Sequence, residues 1–131
     1  MPYTALFALP LALLYLTLAF RVIGLRRGRR VEIGDGGDRE LLRRMRVHAN
    51  AAEYIPLALI VLGLAESLGA PAWLLVASGL VLLTGRFVHA YGLAQEPNIL
   101  RLRVAGMVLT MIAIVISAAA AFILALGRLA I

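Results

Sequence analysis

Four long apolar runs separated by short polar connectors dominate the pattern of this chain. They extend approximately from Tyr3 to Leu25, Val47 to Leu68, Ala72 to Leu93 and Val104 to Leu126. Each is long enough for the roughly 20 residues that cross a bilayer core as a helix. With the polar turns that lead into the second and fourth runs, helices are expected over about 3–25, 41–68, 72–93 and 102–126. The connectors leave no room for a soluble domain. The pattern therefore predicts an all-α membrane protein, a single four-transmembrane-helix bundle over residues 1–131. Composition agrees: 63% of residues are hydrophobic and the mean hydropathy is +0.95, outside the range of ordinary soluble domains.

Punctuation along the chain refines this outline. Pro10 and Pro56 break single backbone hydrogen bonds, which membrane helices tolerate. Ile33-Gly34-Asp35-Gly36-Gly37-Asp38 reads as a flexible turn, without the signature of a phosphate or a calcium loop. Asp35 or Asp38 is placed to cap the second helix. Glu66 falls at the far interface, where it needs no special role, and Ala70-Pro71-Ala72-Trp73 reads as a tight turn with an interfacial tryptophan. The fourth helix is rich in small residues (Gly106, Ser117, Ala118 to Ala121), which suits close helix packing.

Charge sets the expected orientation. All 13 basic residues are arginine, nine of them between Arg21 and Arg46. Arg101 and Arg103 precede the fourth helix, and Ser67 to Pro71 has no basic residue. By the positive-inside rule, the first and third connectors are cytoplasmic and both termini lie outside. The net charge of +6 is then a topology signal that meets anionic lipid headgroups, and it argues against a nucleic-acid footprint. No positive region precedes the first apolar run, so it reads as a retained helix and not as a signal peptide. The chain has no cysteine, which excludes disulfides, thiolate nucleophiles and cysteine metal sites, and no metal centre is expected. Any thiol chemistry must use a thiol brought by a ligand.

The candidate chemistry lies at the head of the second helix, in Arg46-Val47-His48-Ala49-Asn50-Ala51-Ala52-Glu53-Tyr54-Ile55-Pro56. At about 100° per residue, Arg46, Asn50 and Glu53 share one face within about 60°. A cation, an amide and a carboxylate on one stripe make either a site for a zwitterionic ligand or a seam between helices. Glu53 lies about two turns inside the apolar run, where an unpaired carboxylate would cost several kcal/mol, so it requires a partner such as Arg46 or an arginine of another helix. His48 points roughly 160° from Asn50 and suits helix packing. The third helix ends in Arg86-Phe87-Val88-His89-Ala90-Tyr91, and at most one of His89 and Tyr91 can face a given pocket. Taken singly, Arg86, Arg101 and Arg103 fit arginines that snorkel to the headgroups. Yet the polar groups of all four helices lie at the same end, which favours a pocket over scattered interfacial residues.

Arg-x-His-x-Asn-x-x-Glu-Tyr-x-Pro at 46–56 resembles the helix-two signature of the MAPEG family, the membrane-associated proteins in eicosanoid and glutathione metabolism. Val22-Ile23-x-x-Arg26-Arg27 and Arg86-x-x-His89 are similar to segments of family synthases, and the Gly-Asp-Gly-Gly loop resembles the bacterial branch. The resemblance covers essentially the whole chain. It implies a homotrimer in the bacterial inner membrane, with glutathione as thiol co-substrate held between subunits near the cytoplasmic face. Arg26, Arg46, His48, Asn50, Glu53 and Tyr54 would hold it, with His89 and Tyr91 nearby. Glu53 would take the amino group and the arginines the carboxylates. Arg103 or Arg101 would stabilise the thiolate, with Arg103 favoured. The implied activity is a glutathione-dependent transferase or peroxidase of the detoxification type, acting on lipophilic electrophiles that arrive through the membrane lipid. Thiol chemistry agrees, since a nearby arginine lowers a free thiol's pKa toward neutrality. Three positions depart from the family pattern: Ala49 and Ala51 replace polar residues of some relatives, and Leu93 stands where a tyrosine is expected. The competing reading is a non-catalytic lipid-binding or scaffold protein of the same fold. A proton-coupled drug exchanger would want its carboxylate in the first helix, which has none.

Overall fold

The computed structural model describes residues 1–129 and contains four helices: α1 (Pro2–Arg29), α2 (Arg39–Ser67), α3 (Ala72–Ala94) and α4 (Leu100–Leu129). All four are long and apolar enough to cross a membrane. Helix α1 runs four residues beyond the sequence estimate. It stops where Arg30 turns into the left-handed region (φ 56°) and the amides of Arg30 and Val31 close back on Arg27 and Arg26. Of the two candidate caps, Asp38 is the one used: its carboxylate accepts from the amides of Glu40 and Leu41, so α2 begins at Arg39. Asp35 instead accepts from the Gly37 amide inside the turn, where Gly34, Gly36 and Gly37 all take positive φ. At the opposite end, Gly69 (φ 91°) reverses the chain and the Ala70 amide bonds the Ala65 carbonyl.

Helices α2 and α3 lie at the centre. Helix α1 packs against both, α4 also packs against both and most extensively against α3, and α1 and α4 do not meet. The core between α1, α2 and α3 is built on Leu11, Leu18, Val47, Ile55, Leu62, Leu75 and Leu82. The Phe7 ring lies directly on Gly79, where a β-carbon would collide with it. On α4 the buried positions are Gly106, Thr110, Ala113, Ser117 and Ala121. Their spacing of three and four draws a stripe of small side chains, and this lets α3 approach closely. The outward faces carry large exposed apolar residues such as Leu6, Leu13 and Phe20 on α1 and Val115, Phe122 and Ile123 on α4. In a bilayer this is the expected lipid-facing surface.

Glu66 corrects the expectation that it needs no role. Its carboxylate accepts from the amides of Tyr3 (3.0 Å) and Thr4 (2.7 Å) and from the Thr4 hydroxyl (2.6 Å). The first turn of a helix has amides without intrahelical partners, and a negative charge there is favourable. Glu66 of α2 therefore caps α1 from across the bundle. At the arginine-rich end, Arg29 pairs with Asp38 (3.1 Å), Arg44 pairs with Glu40, and Arg43 reaches from α2 to Glu96 and the Gln95 carbonyl in the α3–α4 turn. These contacts set the turn over the end of α2.

Candidate functional site

Helix geometry divides the α2 stripe. Each residue advances about 100°, so Glu53, Arg46, Asn50 and Tyr54 are successive positions across a sector of about 100°. Asn50 and Tyr54 occupy the edge that turns toward α3. Arg46 and Glu53 occupy the outer edge and are exposed on the single chain. Among the described residues neither makes an ion pair or a side-chain hydrogen bond.

The inner edge meets Arg86, and here the structure overturns the snorkelling expectation. Arg86 has no exposed surface and is among the largest fully buried side chains of the described residues. Its Nη2 donates to Asn50 Oδ1 (2.6 Å), its Nη1 lies 3.5 Å from Thr110 Oγ1 on α4, and its guanidinium carbon sits 5.8 Å from the centre of the Tyr54 ring. Among the described residues no carboxylate is bonded to it, and Nε has no hydrogen-bond partner. A buried guanidinium is retained when hydrogen bonds and an aromatic face replace its water, and Asn50 and Tyr54 fill that role. One sequence signal marks Arg86: it continues the buried row Leu75, Leu82, Arg86, His89 on α3, at spacings of seven, four and three. Polarity alone had assigned it to the surface.

One turn further along α3, His89 is buried against α4. Its Nδ1 lies 2.9 Å from the Arg103 carbonyl oxygen. A carbonyl only accepts, so Nδ1 carries the proton; Nε2 is buried without a protein partner. Arg103 donates from Nη1 to Asn98 (3.0 Å), and its Nε is free of protein partners. His89 and Arg103 are the polar members of the lining of an open groove of about 200 Å³ whose other walls are Leu100, Val104, Met107, Val108 and Met111. Arg101 is exposed and lies outside this groove. Tyr91 is 59% exposed, so of the His89–Tyr91 pair it is His89 that faces inward.

The remaining expected site residues lie on the α1 side of α2. His48 packs on the ring of Tyr15 (centroids 4.8 Å apart), as its wheel position predicted. Arg26 donates to the Glu32 carbonyl and to the Met45 sulfur. One chain thus brings together Asn50, Tyr54, Arg86, His89 and Arg103. It holds Arg26 and His48 on a different side of α2 and leaves Arg46, Glu53, Tyr91 and Arg101 outward.

Comparison with known proteins agrees with this architecture. The MAPEG family model matches residues 4–123. The Inner membrane protein YecN of Escherichia coli strain K12 is 41% identical over 113 residues, which cover 86% of this chain and 85% of that protein. The protein of the same name from Escherichia coli O6:H1 matches to the same extent. Four membrane-length helices, the Arg46–Pro56 motif on α2 and a family match across nearly the whole length lead to one conclusion: the chain is an integral membrane protein that belongs to the MAPEG family.

Proposed function

We propose that this protein is a glutathione-dependent transferase or peroxidase acting on lipophilic electrophiles, with glutathione bound between subunits of a homotrimer. The observation that carries this reading is the arrangement of Arg103. Arg103 lines an open, mostly apolar groove together with His89, which its backbone carbonyl holds through Nδ1, and its guanidinium bonds only Asn98 among the described residues. A cation in such a place lowers the pKa of an adjacent thiol and stabilises its thiolate, and the apolar walls suit a substrate arriving from the bilayer. Arg103 is therefore assigned this role in preference to Arg101. Glutathione supplies the sulfur, which is consistent with a chain that has no cysteine.

The split of the ligand-binding set supports assembly. Glu53 and Arg46 present opposite charges on an outward face, while Arg26 and His48 lie on another side of α2. A second copy that brings its Arg26 and His48 against the first copy's Arg46, Asn50 and Glu53 would complete the set. Glu53 would then hold the glutathione amino group and the arginines its carboxylates. The arginine-rich end is assigned to the cytoplasm.

The test uses detergent-solubilised protein titrated with glutathione. Wild type should develop thiolate ultraviolet absorbance and conjugate a hydrophobic electrophile. Arg103→Ala should lose the thiolate signal and keep its oligomeric state, and Arg101→Ala should retain both. A wild type that neither binds glutathione nor conjugates electrophiles would refute the proposal. In that event the non-catalytic lipid-binding reading, favoured by the outward Tyr91 and by Leu93 at the expected tyrosine position, takes its place.

A further inference from the structure

A second cavity lies away from the Arg86–His89–Arg103 group, between α1, α2 and the α3–α4 turn. It encloses about 140 Å³ and is lined by the side chains of Arg21, Arg43 and Arg44 over an apolar base that includes Leu18 and Val47. Two carboxylates, Glu40 and Glu96, complete the lining and pair with Arg44 and Arg43. In both pairs the arginine is the inner partner. Arg43 is 16% exposed against 71% for Glu96, and Arg44 is 29% exposed against 41% for Glu40. Arg21 has no acidic partner among the described residues, so the lining carries a net positive charge even with both carboxylates in place.

We propose that this cavity is a phosphate-binding site, occupied in the membrane by the phosphodiester of an anionic phospholipid. Arginine's planar fork matches phosphate oxygens in a two-point arrangement, and three such groups converge here. The two glutamates are the exposed members of their pairs, and exposed ion pairs are weak, so they can swing to water as a phosphate enters. The base of the cavity distinguishes a lipid from a free anion. Leu18 and Val47 belong to the membrane-spanning cores of α1 and α2, and they offer apolar contact to the glycerol end of a lipid seated at headgroup level. Basic pockets between transmembrane helices are suited to anionic headgroups for this combined reason. The Arg44 Nη1 bond to the Arg21 carbonyl (3.1 Å) holds the α1 and α2 walls in register.

The experiment measures thermal unfolding of delipidated protein in detergent micelles doped with phosphatidylglycerol, with phosphatidylcholine, or with inorganic phosphate added instead. Phosphatidylglycerol should raise the unfolding midpoint by several degrees and phosphatidylcholine should not, because a ligand that binds only the folded state stabilises it. Arg21→Gln should weaken the apparent phosphatidylglycerol affinity by about tenfold or more, the scale of one charged hydrogen bond. Arg39→Gln removes an equal charge from an exposed site off the cavity and should leave the affinity unchanged. Arg43→Gln should repeat the Arg21 result. If that variant fails to fold because the α3–α4 turn is released, Arg21→Gln still decides, since its guanidinium holds no bond among the described residues. Equal losses in Arg21→Gln and Arg39→Gln, or equal responses to the two lipids, would overturn the site. A midpoint shift with inorganic phosphate as large as with phosphatidylglycerol would overturn the lipid as occupant.

Discussion

Gly106→Ala should leave the protein about 2 kcal/mol less stable than the matched variant Gly24→Ala. Gly106 is where α4 comes closest to α3. A methyl group there would overlap the His89 amide nitrogen and lie 2.6 Å from both the Gly85 carbonyl oxygen and the His89 β-carbon. Ordinary contact begins near 3.4 Å and the His89 amide nitrogen would lie closer still than the other two atoms, so α4 must retreat by roughly 1 Å. Two of the three obstructing atoms belong to the α3 backbone and cannot rotate aside. Overpacking of this kind costs about 1–3 kcal/mol. Alanine returns up to about 1 kcal/mol of helix propensity. Gly24 is also helical but has nothing within 4 Å of the added carbon, so its substitution collects the propensity without the clash. The difference between the two isolates the interface. Denaturant titration in mixed micelles measures it, and the His89–Arg103 bond crosses the same contact, so Gly106→Ala should also reduce any glutathione response. A Gly106→Ala midpoint equal to or above that of Gly24→Ala would refute the close-packing argument.

Three further outcomes follow from the same structure. Glu66→Ala should destabilise the protein by about 2–3 kcal/mol and raise hydrogen exchange at Tyr3 and Thr4, because the first turn of α1 loses a three-bond carboxylate cap; unchanged exchange there would count against the cap. Asn50→Ala should cost about 2 kcal/mol by stripping the buried Arg86 of its short acceptor, whereas the double variant Asn50→Leu with Arg86→Met should recover most of that stability, since an apolar pair replaces a buried charge at little net cost; additive losses in a double-mutant cycle would contradict the coupling. Asp38 is held below the ordinary carboxylate pKa by the amide of Leu41 first, then by that of Glu40 and by Arg29 and Arg44, against the opposing effect of burial. Its contribution is therefore present above about pH 4 and is lost as the pH falls through the lowered value. The extra protection of the Glu40 and Leu41 amides relative to Asp38→Ala should shrink over that acidic window, and equal protection in the two proteins throughout would remove Asp38 as the cap.

The sequence by itself determined the number and span of the helices, because length and hydropathy answer directly to bilayer thickness. It erred only at the ends: α1 continues to Arg29 and α4 extends from Leu100 to Leu129, since helical hydrogen bonding does not stop where apolar residues do. It also located the polar end, and the α2 motif carried the family. The tertiary structure decided which side chain faces what. Hydropathy reads Arg86 and Arg101 alike, but one is fully buried on Asn50 and Tyr54 and the other is exposed. Glu66 looked ordinary because the amides it caps lie more than 60 residues away in the chain. The α2 stripe was legible as one face, yet Asn50 turns toward α3 while Arg46 and Glu53 face outward. A stripe about 60° wide straddles the boundary between the interior of the bundle and its surface, and only the packing of α3 and α4 sets where that boundary falls.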